Sequence, residues 1–353
     1  MPEETGQRMR VLHVMAAQGN GGAELYSTDV MLSLQAAGLA QKAVLHPHAP
    51  RVAEMRAAGM DVETAPLRFP LRLGARLALR RLIARMRPDI IHCWLRRAAE
   101  IVPTGTGIPV IGWFGNYKDL RPFAHCDWFV GCTADMARSM RERGAPADRV
   151  AYIPTFPSVR PEAPVLRQSL DTPADAPVLL VLSRLHPAKG LETLLDALAA
   201  LPRCHVWLAG EGNLRAALMA QAERLGIAGR VHFLGWRSDR GALLAAADIC
   251  VLPSRYEPFG TVILDAWSAD IPLVACAADG PRAHIRDGEN GMLVPIDDVG
   301  ALAGALRRVL DDPALAARIV SGGRRDYEAH FTPQAVTAQW LALYDRVLSA
   351  GCR

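Results

Sequence analysis

The stretch that decides the fold is VLLVLSRLHPAKGLETLL, residues 178–195. It opens with a short, continuous apolar run, which is typical of a strand buried on both faces of a parallel sheet. A loop with an arginine, a proline, a lysine and a glycine follows, and a helical apolar period begins after Gly190. Strand, short loop and helix in this order form the repeating unit of doubly wound α/β folds.

The same alternation extends in both directions along the chain. Strands are predicted at 10–15, 42–46, 60–65, 88–94, 109–114, 127–133 and 150–154, then at 178–185, 205–210, 230–236, 249–254 and 272–277. Helices are predicted at 23–37, 51–58 and 70–87, then at 189–200, 213–225, 239–247, 260–269 and 333–349. Between the two series, residues 155–177 are rich in proline and polar residues and are typical of a linker.

We therefore expect an α/β protein made of two Rossmann-like doubly wound domains that face each other across a cleft. The predicted boundaries are 1–160 for the first domain and 161–332 for the second. Residues 333–353 are predicted to be a C-terminal helix that packs back on the first domain.

Composition narrows the class of protein. Of the 353 residues, 50% are hydrophobic, which is enough for two cores, and the formal net charge is only +4. No polybasic tail indicates a nucleic-acid partner. The seven cysteines form no CxxC pair, and the chain contains neither a signal-peptide core nor an uncharged apolar run of about 20 residues. We expect a cytoplasmic protein.

Two loops that follow predicted strands indicate anion binding. In AAQGNGGAELY (16–26), Gly21 and Gly22 precede a helix whose first amides could meet a phosphate, although the spacing is not GxGxxG and a simple tight turn fits equally well. In SRLHPAKG (183–190), Arg184 and Lys189 are placed to neutralise a diphosphate. The alternative is a solvated loop with ordinary surface cations, but lysine is rare in this chain.

Two further loops contain candidate ligand-binding residues. LAGEGNL (208–214) places Glu211 between glycines at a strand end, where a solvated turn is the alternative. LGWRSD (234–239), which contains Arg237, ends the next strand and could meet the base of a nucleotide.

YEPFGTVILDAW (256–267) has the most specific pattern. Pro258 and Gly260 shape a turn, a helix begins near Thr261, and the free amides of residues 259–262 suit a pyrophosphate. Glu257 lies just before that turn, where it could accept hydrogen bonds from sugar hydroxyls. Asp265 lies a little over one turn into that helix and interrupts an apolar run. A carboxylate at this position could bind two vicinal hydroxyls of a ribose.

These motifs, together with AADICVLPSRYEPFGTVILDAWSADIPLVA (246–275) and GENGMLV (288–294), resemble the retaining GT-B-fold glycosyltransferases of family 4, the glycosyl transferases group 1. The resemblance covers most of the chain and is strongest over 178–295. Bacterial members build lipopolysaccharide and glycolipids. The resemblance implies a hexosyltransferase that uses a UDP- or GDP-sugar as co-substrate, with no cofactor and no metal.

The resemblance also implies roles for individual residues. Arg184 and Lys189 would bind the diphosphate and stabilise the leaving group, and Glu257 would position the sugar. The remaining implied donor-binding residues are Gly21, Gly22, Glu211, Arg237, Phe259, Gly260, Thr261 and Asp265.

Two positions depart from the family pattern. The family's second acid is usually glutamate, whereas this chain has the shorter Asp265. The family often has a histidine where this chain has Phe114. The hydrogen bond that this histidine gives the donor sugar must therefore come from Asn116 or Lys118, which we assign to the acceptor side, or it is missing.

Residues 68–87 hold seven arginines and no acidic residue. At helical spacing Leu79, Leu82 and Ile83 share one predicted core face, while Leu73 and Leu77 fall among the arginines. This pattern favours docking on an anionic membrane surface, on the inner face of the cell membrane, although a solvated arginine-rich face is the alternative.

Three functions remain compatible with the sequence. The first is the transferase, with a lipid-linked or saccharide acceptor. The second keeps the fold but changes the reaction, to a nucleotide-sugar epimerase or a phosphorylase. The third is a nucleotide-sugar-binding protein without turnover.

Overall fold

The computed structural model describes residues 9–17, 22–47, 49, 51–65, 67, 72–115, 119–157 and 159–350. The chain divides into two compact units. The first contains the residues up to Phe156 and those from Pro333 onward, and the second contains Pro157–Thr332.

The first unit is built on a sheet of seven parallel strands. They are β1 (Arg10–Met15), β2 (Ala40–Leu45), β3 (Asp61–Thr64), β4 (Ile90–Trp94), β5 (Val110–Phe114), β6 (Trp128–Gly131) and β7 (Val150–Tyr152). Their order is β3-β2-β1-β4-β5-β6-β7. The chain moves outward from β1 to one edge and then restarts beside β1, so the topological switch point lies between β1 and β4.

Helices connect these strands. They are α1 (Gly22–Ala36), α2 (Val52–Ala57), α3 (Arg72–Met86), α4 (Leu95–Ile101) and α5 (Ala134–Glu142). The chain turns after α1 at Gly38, whose φ of 83° favours a residue without a Cβ. α5 is capped by the Thr133 hydroxyl, which accepts a hydrogen bond of 3.0 Å from the Met136 amide.

The second unit repeats the arrangement with six parallel strands. They are β8 (Val178–Leu182), β9 (His205–Ala209), β10 (Val231–Gly235), β11 (Ile249–Leu252), β12 (Leu273–Cys276) and β13 (Met292–Val294), in the order β10-β9-β8-β11-β12-β13. The switch point lies between β8 and β11. Every residue of β8, β11 and β12 is buried, as expected for a parallel sheet covered on both faces.

The helices of the second unit are α6 (Leu191–Ala199), α7 (Arg215–Arg224), α8 (Arg240–Ala246), α9 (Thr261–Ser268), α10 (Asp279–His284), α11 (Val299–Asp311) and α12 (Pro313–Asp326). The predicted α/β class with two doubly wound parallel sheets is confirmed.

The last helix, α13 (Pro333–Ala350), belongs to the first unit. Its buried face carries Trp340 and Tyr344, both fully buried. The Trp340 indole donates to the Tyr26 hydroxyl at 3.2 Å, and the Tyr344 hydroxyl lies 2.9 Å from Nδ1 of His92 on β4. Polar contacts within an apolar interface favour one seating of the helix, because any other seating leaves buried polar groups without partners.

α3 shows the two faces that its sequence predicts. Ala75, Leu79, Leu82 and Ile83 are buried. Leu73 and Leu77, in contrast, are 84% and 51% exposed. Over the described ranges, no helix is both long and apolar enough to cross a membrane.

Some elements escaped prediction. β13 has only three residues and follows a glycine-rich turn, so that it carries no periodicity of its own. α4 begins directly after β4 through Leu95, a non-glycine residue with a φ of 67°, and no turn residue marks the boundary. α5, α10, α11 and α12 were also not predicted.

Candidate functional site

Three loops leave the carboxyl ends of β8, β9 and β11, at residues 183–190, 210–214 and 253–260. β8 and β11 flank the switch point of the second sheet, which is where ligands bind in open α/β sheets. The predicted residues Arg184, Lys189, Glu211 and Glu257 lie on these loops. The topology therefore brings them to one edge of one sheet.

Lys189 and Glu257 form the central contact of this edge. The Lys189 ammonium donates to Oε2 of Glu257 at 2.6 Å. The two side chains are only 17% and 15% exposed, so each charge depends on the other for neutralisation. Both belong to the predicted site, and 68 residues separate them along the chain.

The backbone around Lys189 is tightly held. The Ala188 carbonyl accepts hydrogen bonds from the amides of Arg255 and Tyr256, at 2.9 and 3.1 Å. Gly190, with a φ of 59°, follows, and a Cβ at this position would lie 2.1 Å from the Pro253 carbonyl oxygen. Only glycine allows the two loops to approach this closely.

The loops after β8 and β9 are joined in the same way. The Leu185 amide donates to the Glu211 carbonyl at 2.9 Å. A Cβ at Gly210 would meet the Ser183 carbonyl oxygen at 1.9 Å, and one at Gly212 would meet the Leu185 carbonyl oxygen at 2.2 Å. Glu211 itself is exposed, and its carboxylate lies 3.2 Å from Arg215.

Arg184 and Glu211 thus lie on loops that are bonded to each other, and the Arg184 side chain is exposed. The Lys189 side chain, in contrast, is only 17% exposed. The loop after β8 therefore carries two cations of different burial.

The turn before α9 leads into a helix that no side chain caps. Gly260 has a φ of 88° and precedes Thr261, the first residue of the helix. Because glycine has no side chain to cap the helix, the first-turn amides are left for water or a ligand. Phe259 is buried, with its ring 4.6 Å from that of His284. Burial lowers the pKa of His284 to about 4, so that ring is neutral at pH 7.

Asp265 lies on α9 and is 1% exposed. Its Oδ2 is 3.3 Å from Nη1 of Arg240, the first residue of α8. This partner could not be predicted from the sequence, because the two residues lie on helices that follow different strands. The Arg240 guanidinium in this pair is itself 29% exposed.

Arg237 pairs locally with Asp239, at 2.8 and 2.5 Å through two nitrogens. Hydrogen bonding within this pair raises the pKa of Arg237 and lowers that of Asp239. Next to it, Trp236 is 63% exposed at the end of β10. A large exposed aromatic at the ligand-binding edge is a candidate that sequence reasoning missed, although its position in LGWRSD could have indicated it.

Arg255 is the second residue that was missed. Its guanidinium contacts the Pro187 carbonyl, Glu192 and Asp297 at 2.7 to 3.1 Å. No spacing rule links 255 to 192 or 297, so the sequence offered no signal. It directly precedes the Tyr256–Glu257 pair.

In the first unit, only some of the predicted residues are among those that the structure describes. Gly22 is the first residue of α1, and a Cβ there would meet nothing within 4 Å. Gly21, Asn116 and Lys118 lie outside the described residues. Phe114, at the position where the family often has histidine, is buried and stacked on Phe123 with ring centroids 3.8 Å apart.

A separate cavity of about 420 Å³ lies elsewhere in the second unit. Its lining includes Arg160, Glu162, Ser268, Asp270, Arg324 and Tyr327. None of the predicted site residues lines it. Within the described part of the chain, no cluster of three or more histidine, cysteine or acidic side chains could hold a metal ion.

Comparison with known proteins decides the family. Residues 163–326 match the model described as Glycosyl transferases group 1, and residues 20–156 match Glycosyltransferase Family 4. The chain belongs to this glycosyltransferase family. The predicted family and enzyme class, a glycosyl-transferring enzyme, are confirmed.

The transferase is similar to two proteins of Rhizobium meliloti (strain 1021), the lipopolysaccharide core biosynthesis glycosyltransferases LpsE and LpsD. Identity to LpsE is 33%, over 95% of this chain and 98% of LpsE. Identity to LpsD is 32%, over 96% of this chain and 98% of LpsD.

Among solved structures, the transferase resembles Anabaena HepE, which was crystallised in complex with UDP. The TM-score is 0.84 at 22% identity, over 96% of this chain and 100% of HepE. A likeness at this identity establishes the fold, and the predicted GT-B fold is confirmed.

Proposed function

We propose that the protein transfers a hexose from a nucleotide-sugar to a saccharide acceptor of the lipopolysaccharide core type. The observation that carries the proposal is the contact between Lys189 and Glu257 at the switch point of the second sheet, next to the open start of α9. A diphosphate needs cations and amides, and a hexose needs a carboxylate for its hydroxyls. This edge holds both kinds of group.

In this proposal the donor diphosphate meets Lys189, Arg184 and the amides of residues 259–261. Its charge is countered by the two cations and by the helix start, which favours anions. When the diphosphate takes over Lys189, the Glu257 carboxylate becomes free to accept hydrogen bonds from the sugar. Glu211 belongs to the same edge and is the second acid available to the donor.

The nucleoside is assigned to the loop after β10 and the start of α8. Asp265 is buried, so we propose that it acts on the ribose through Arg240 or after a shift of that side chain. The exposed ring of Trp236 offers a stacking surface for a base, and Arg237 lies beside it. UDP is the first candidate because HepE binds it, and GDP is the alternative that the sequence leaves open.

We assign the acceptor to the first unit, where Asn116 and Lys118 are the predicted acceptor-side contacts. Gly21 and Gly22 of the same unit remain predicted donor contacts. The two Rhizobium meliloti relatives act in lipopolysaccharide core biosynthesis, which supports a saccharide acceptor of that class.

The proposed reaction retains the configuration at C1 and uses no metal. The bond between C1 and the β-phosphate oxygen breaks, and its electron pair stays on the phosphate. The acceptor oxygen bonds to C1 from the same face, and its proton moves to the departing phosphate. Lys189 and Arg184 stabilise the charge that grows on the phosphate, an electrostatic effect worth several kcal/mol.

Turnover with a panel of donors tests the proposal. UDP-, GDP- and ADP-sugars are incubated with truncated lipopolysaccharide core, and release of the nucleoside diphosphate and growth of the saccharide are measured. We expect one class of donor to support both nucleoside diphosphate release and saccharide growth. Turnover should be the same in EDTA, and NMR should show that the product retains the anomeric configuration of the donor. Release without any acceptor product, or epimerisation of the donor, contradicts transfer.

We further propose that α3 docks the enzyme on an anionic bilayer at the inner face of the cell membrane. Leu73 and Leu77 project among arginines, and the helix carries no acidic residue. Exposed leucines can enter the headgroup boundary while arginines bind anionic lipid.

Vesicle sedimentation tests this docking. We expect binding to phosphatidylcholine vesicles that contain phosphatidylglycerol, and loss of binding in the double variant Leu73→Glu, Leu77→Glu. Leu166→Glu is the control, because Leu166 is 74% exposed on the second unit. Equal sedimentation of the double variant and the wild type rules this surface out.

A further inference from the structure

Arg255 connects three segments that meet beside the Lys189–Glu257 contact. Its Nη1 donates to the Pro187 carbonyl at 2.7 Å and lies 3.1 Å from the Glu192 carboxylate. Its Nε lies 2.8 and 3.0 Å from the two carboxylate oxygens of Asp297. Nη2 lies 3.4 Å from the Thr193 hydroxyl. The guanidinium is thus turned toward protein groups on several sides.

The main chain of the same residue holds the same turn. The amide of Arg255 donates to the Ala188 carbonyl at 2.9 Å. Pro187, Ala188 and Lys189 form a short 3₁₀ turn, so Arg255 bonds the two carbonyls that directly precede Lys189. Since Glu257 lies two residues after Arg255, one segment fixes both partners of the contact.

Asp297, one of the Arg255 partners, has an uncommon backbone conformation. It has a φ of 59°, a left-handed conformation that is unfavourable for a residue with a Cβ. Arg255 binds both of its oxygens, and the Thr193 hydroxyl donates to it at 2.8 Å. Strained residues held by many partners concentrate at functional sites.

Stability alone does not account for this set of contacts. The Arg255 side chain is 31% exposed and its partners Glu192 and Asp297 are 35% and 48% exposed. Ion pairs this accessible contribute little to folding. We infer that these contacts act mainly on local geometry, because they restrict the movement of the turn that carries Lys189.

We propose that Arg255 is a positioning residue, which holds Lys189 and Glu257 in the geometry that binds the donor diphosphate. This inference rests on the proposed function. Arg255 acts through Lys189, because its own guanidinium contacts Pro187, Glu192 and Asp297 rather than the open face of the site. A preformed cation site needs no rearrangement when phosphate charge develops, and that is the advantage such positioning gives.

The first experiment compares Arg255→Ala and Arg255→Lys with a matched control. Arg324→Ala is the control, because Arg324 binds both oxygens of Asp270 and the Ser268 carbonyl, is 30% exposed and belongs to the same unit. We expect Arg255→Ala to lower kcat by about 10- to 100-fold, with guanidinium ion restoring part of it. Arg255→Lys should retain more activity than Arg255→Ala. Wild-type kcat in Arg255→Ala, or an equal loss in Arg324→Ala, overturns the proposal.

The second experiment is a double-mutant cycle on UDP affinity and turnover. If Arg255 acts through Lys189, adding Arg255→Ala to Lys189→Ala should cause less than about a twofold further loss. A full further loss shows that Arg255 acts on its own and overturns positioning while the proposed function stands. Wild-type activity in Lys189→Ala overturns both.

Discussion

At the scale of single residues, the Lys189–Glu257 pair is the feature from which the chemistry follows. Two charges that are nearly removed from water stabilise each other only while they stay paired. A diphosphate can replace the carboxylate as the partner of Lys189, and sugar hydroxyls can replace the ammonium as partners of Glu257. We propose that the pair keeps both charges neutralised until the donor binds, and that both groups then contact the donor.

Removing either partner should reduce activity and stability by different mechanisms. Lys189→Met and Glu257→Gln should each lower turnover by at least about 100-fold, since each removes a transition-state contact. Each should also lower the free energy of unfolding by about 1–3 kcal/mol, because an unpaired polar group stays half-buried.

The double variant Lys189→Met, Glu257→Gln separates the two effects. Urea unfolding should show that it regains part of the lost stability, while turnover stays low. A double variant less stable than both singles would contradict the paired arrangement.

His284 should make the second unit sensitive to acid. In the unfolded chain a histidine has a pKa of about 6.5, whereas burial between Phe259 and Phe331 lowers that of His284 to about 4. The unfolded chain therefore takes up this proton first, so that the stability contribution is complete above about pH 6.5 and is lost as the pH falls toward 4.

Replacing His284 tests whether this residue causes the loss of stability at acid pH. His284→Phe should flatten the fall in the free energy of unfolding between pH 6.5 and 4, by roughly 3 kcal/mol at most. Urea midpoints at several pH values measure it. Parallel pH curves for variant and wild type would contradict the buried neutral histidine.

The sequence indicated residue types better than residue partners. Lys189 and Glu257 could be predicted because each lies in a loop that follows an apolar strand. The burial of Asp265 and its pairing with Arg240 could not, since α8 and α9 become neighbours only through the strand order. Arg255 escaped for the same reason, because its partners at 192 and 297 lie far away in sequence.

At the scale of elements, the join between the 3₁₀ turn at Pro187–Lys189 and α6 fixes the site. Gly190 provides a left-handed residue there and also leaves room for the Pro253 carbonyl. A substitution at Gly190 would incur the cost of a left-handed backbone and the cost of a steric clash. Gly226 separates the two, because it has a φ of 67° but no atom within 4 Å of a Cβ placed there.

Gly226→Ala should lower the free energy of unfolding by about 1 kcal/mol and leave turnover unchanged. Gly190→Ala should cost more than that and lower turnover at least about 10-fold, because the added methyl must push the two loops apart. Thermal or urea unfolding with a turnover assay measures both. Equal behaviour of the two variants would show that the close approach is unimportant.

Strands and helices with strong periodicity were predictable, and short ones were not. β8 and β11 are visible in the sequence as apolar runs, because both faces of each strand are buried. β13 has three residues and depends on pairing with β12, which no local pattern encodes. α4 starts without a turn, so nothing in its sequence separates it from β4.

At the scale of the whole molecule, both units are built on doubly wound parallel sheets. The loops with Lys189 and Glu257 follow β8 and β11 at the switch point of the second sheet. The sequence alone predicts that strands and helices alternate along the chain, and therefore that the sheets are parallel. It does not give strand order, and strand order is what turns separate loops into one site.

We propose that the donor nucleotide binds at the carboxyl edge of the second sheet, around Lys189 and Glu257. Hydrogen exchange followed by mass spectrometry, with and without UDP, tests it most directly. We predict that UDP slows exchange in peptides covering 183–190 and 253–261 and leaves peptides covering 159–162 and 324–327, at the separate cavity, unchanged. Slower exchange at that cavity, with no change at 183–190 and 253–261, would contradict the account.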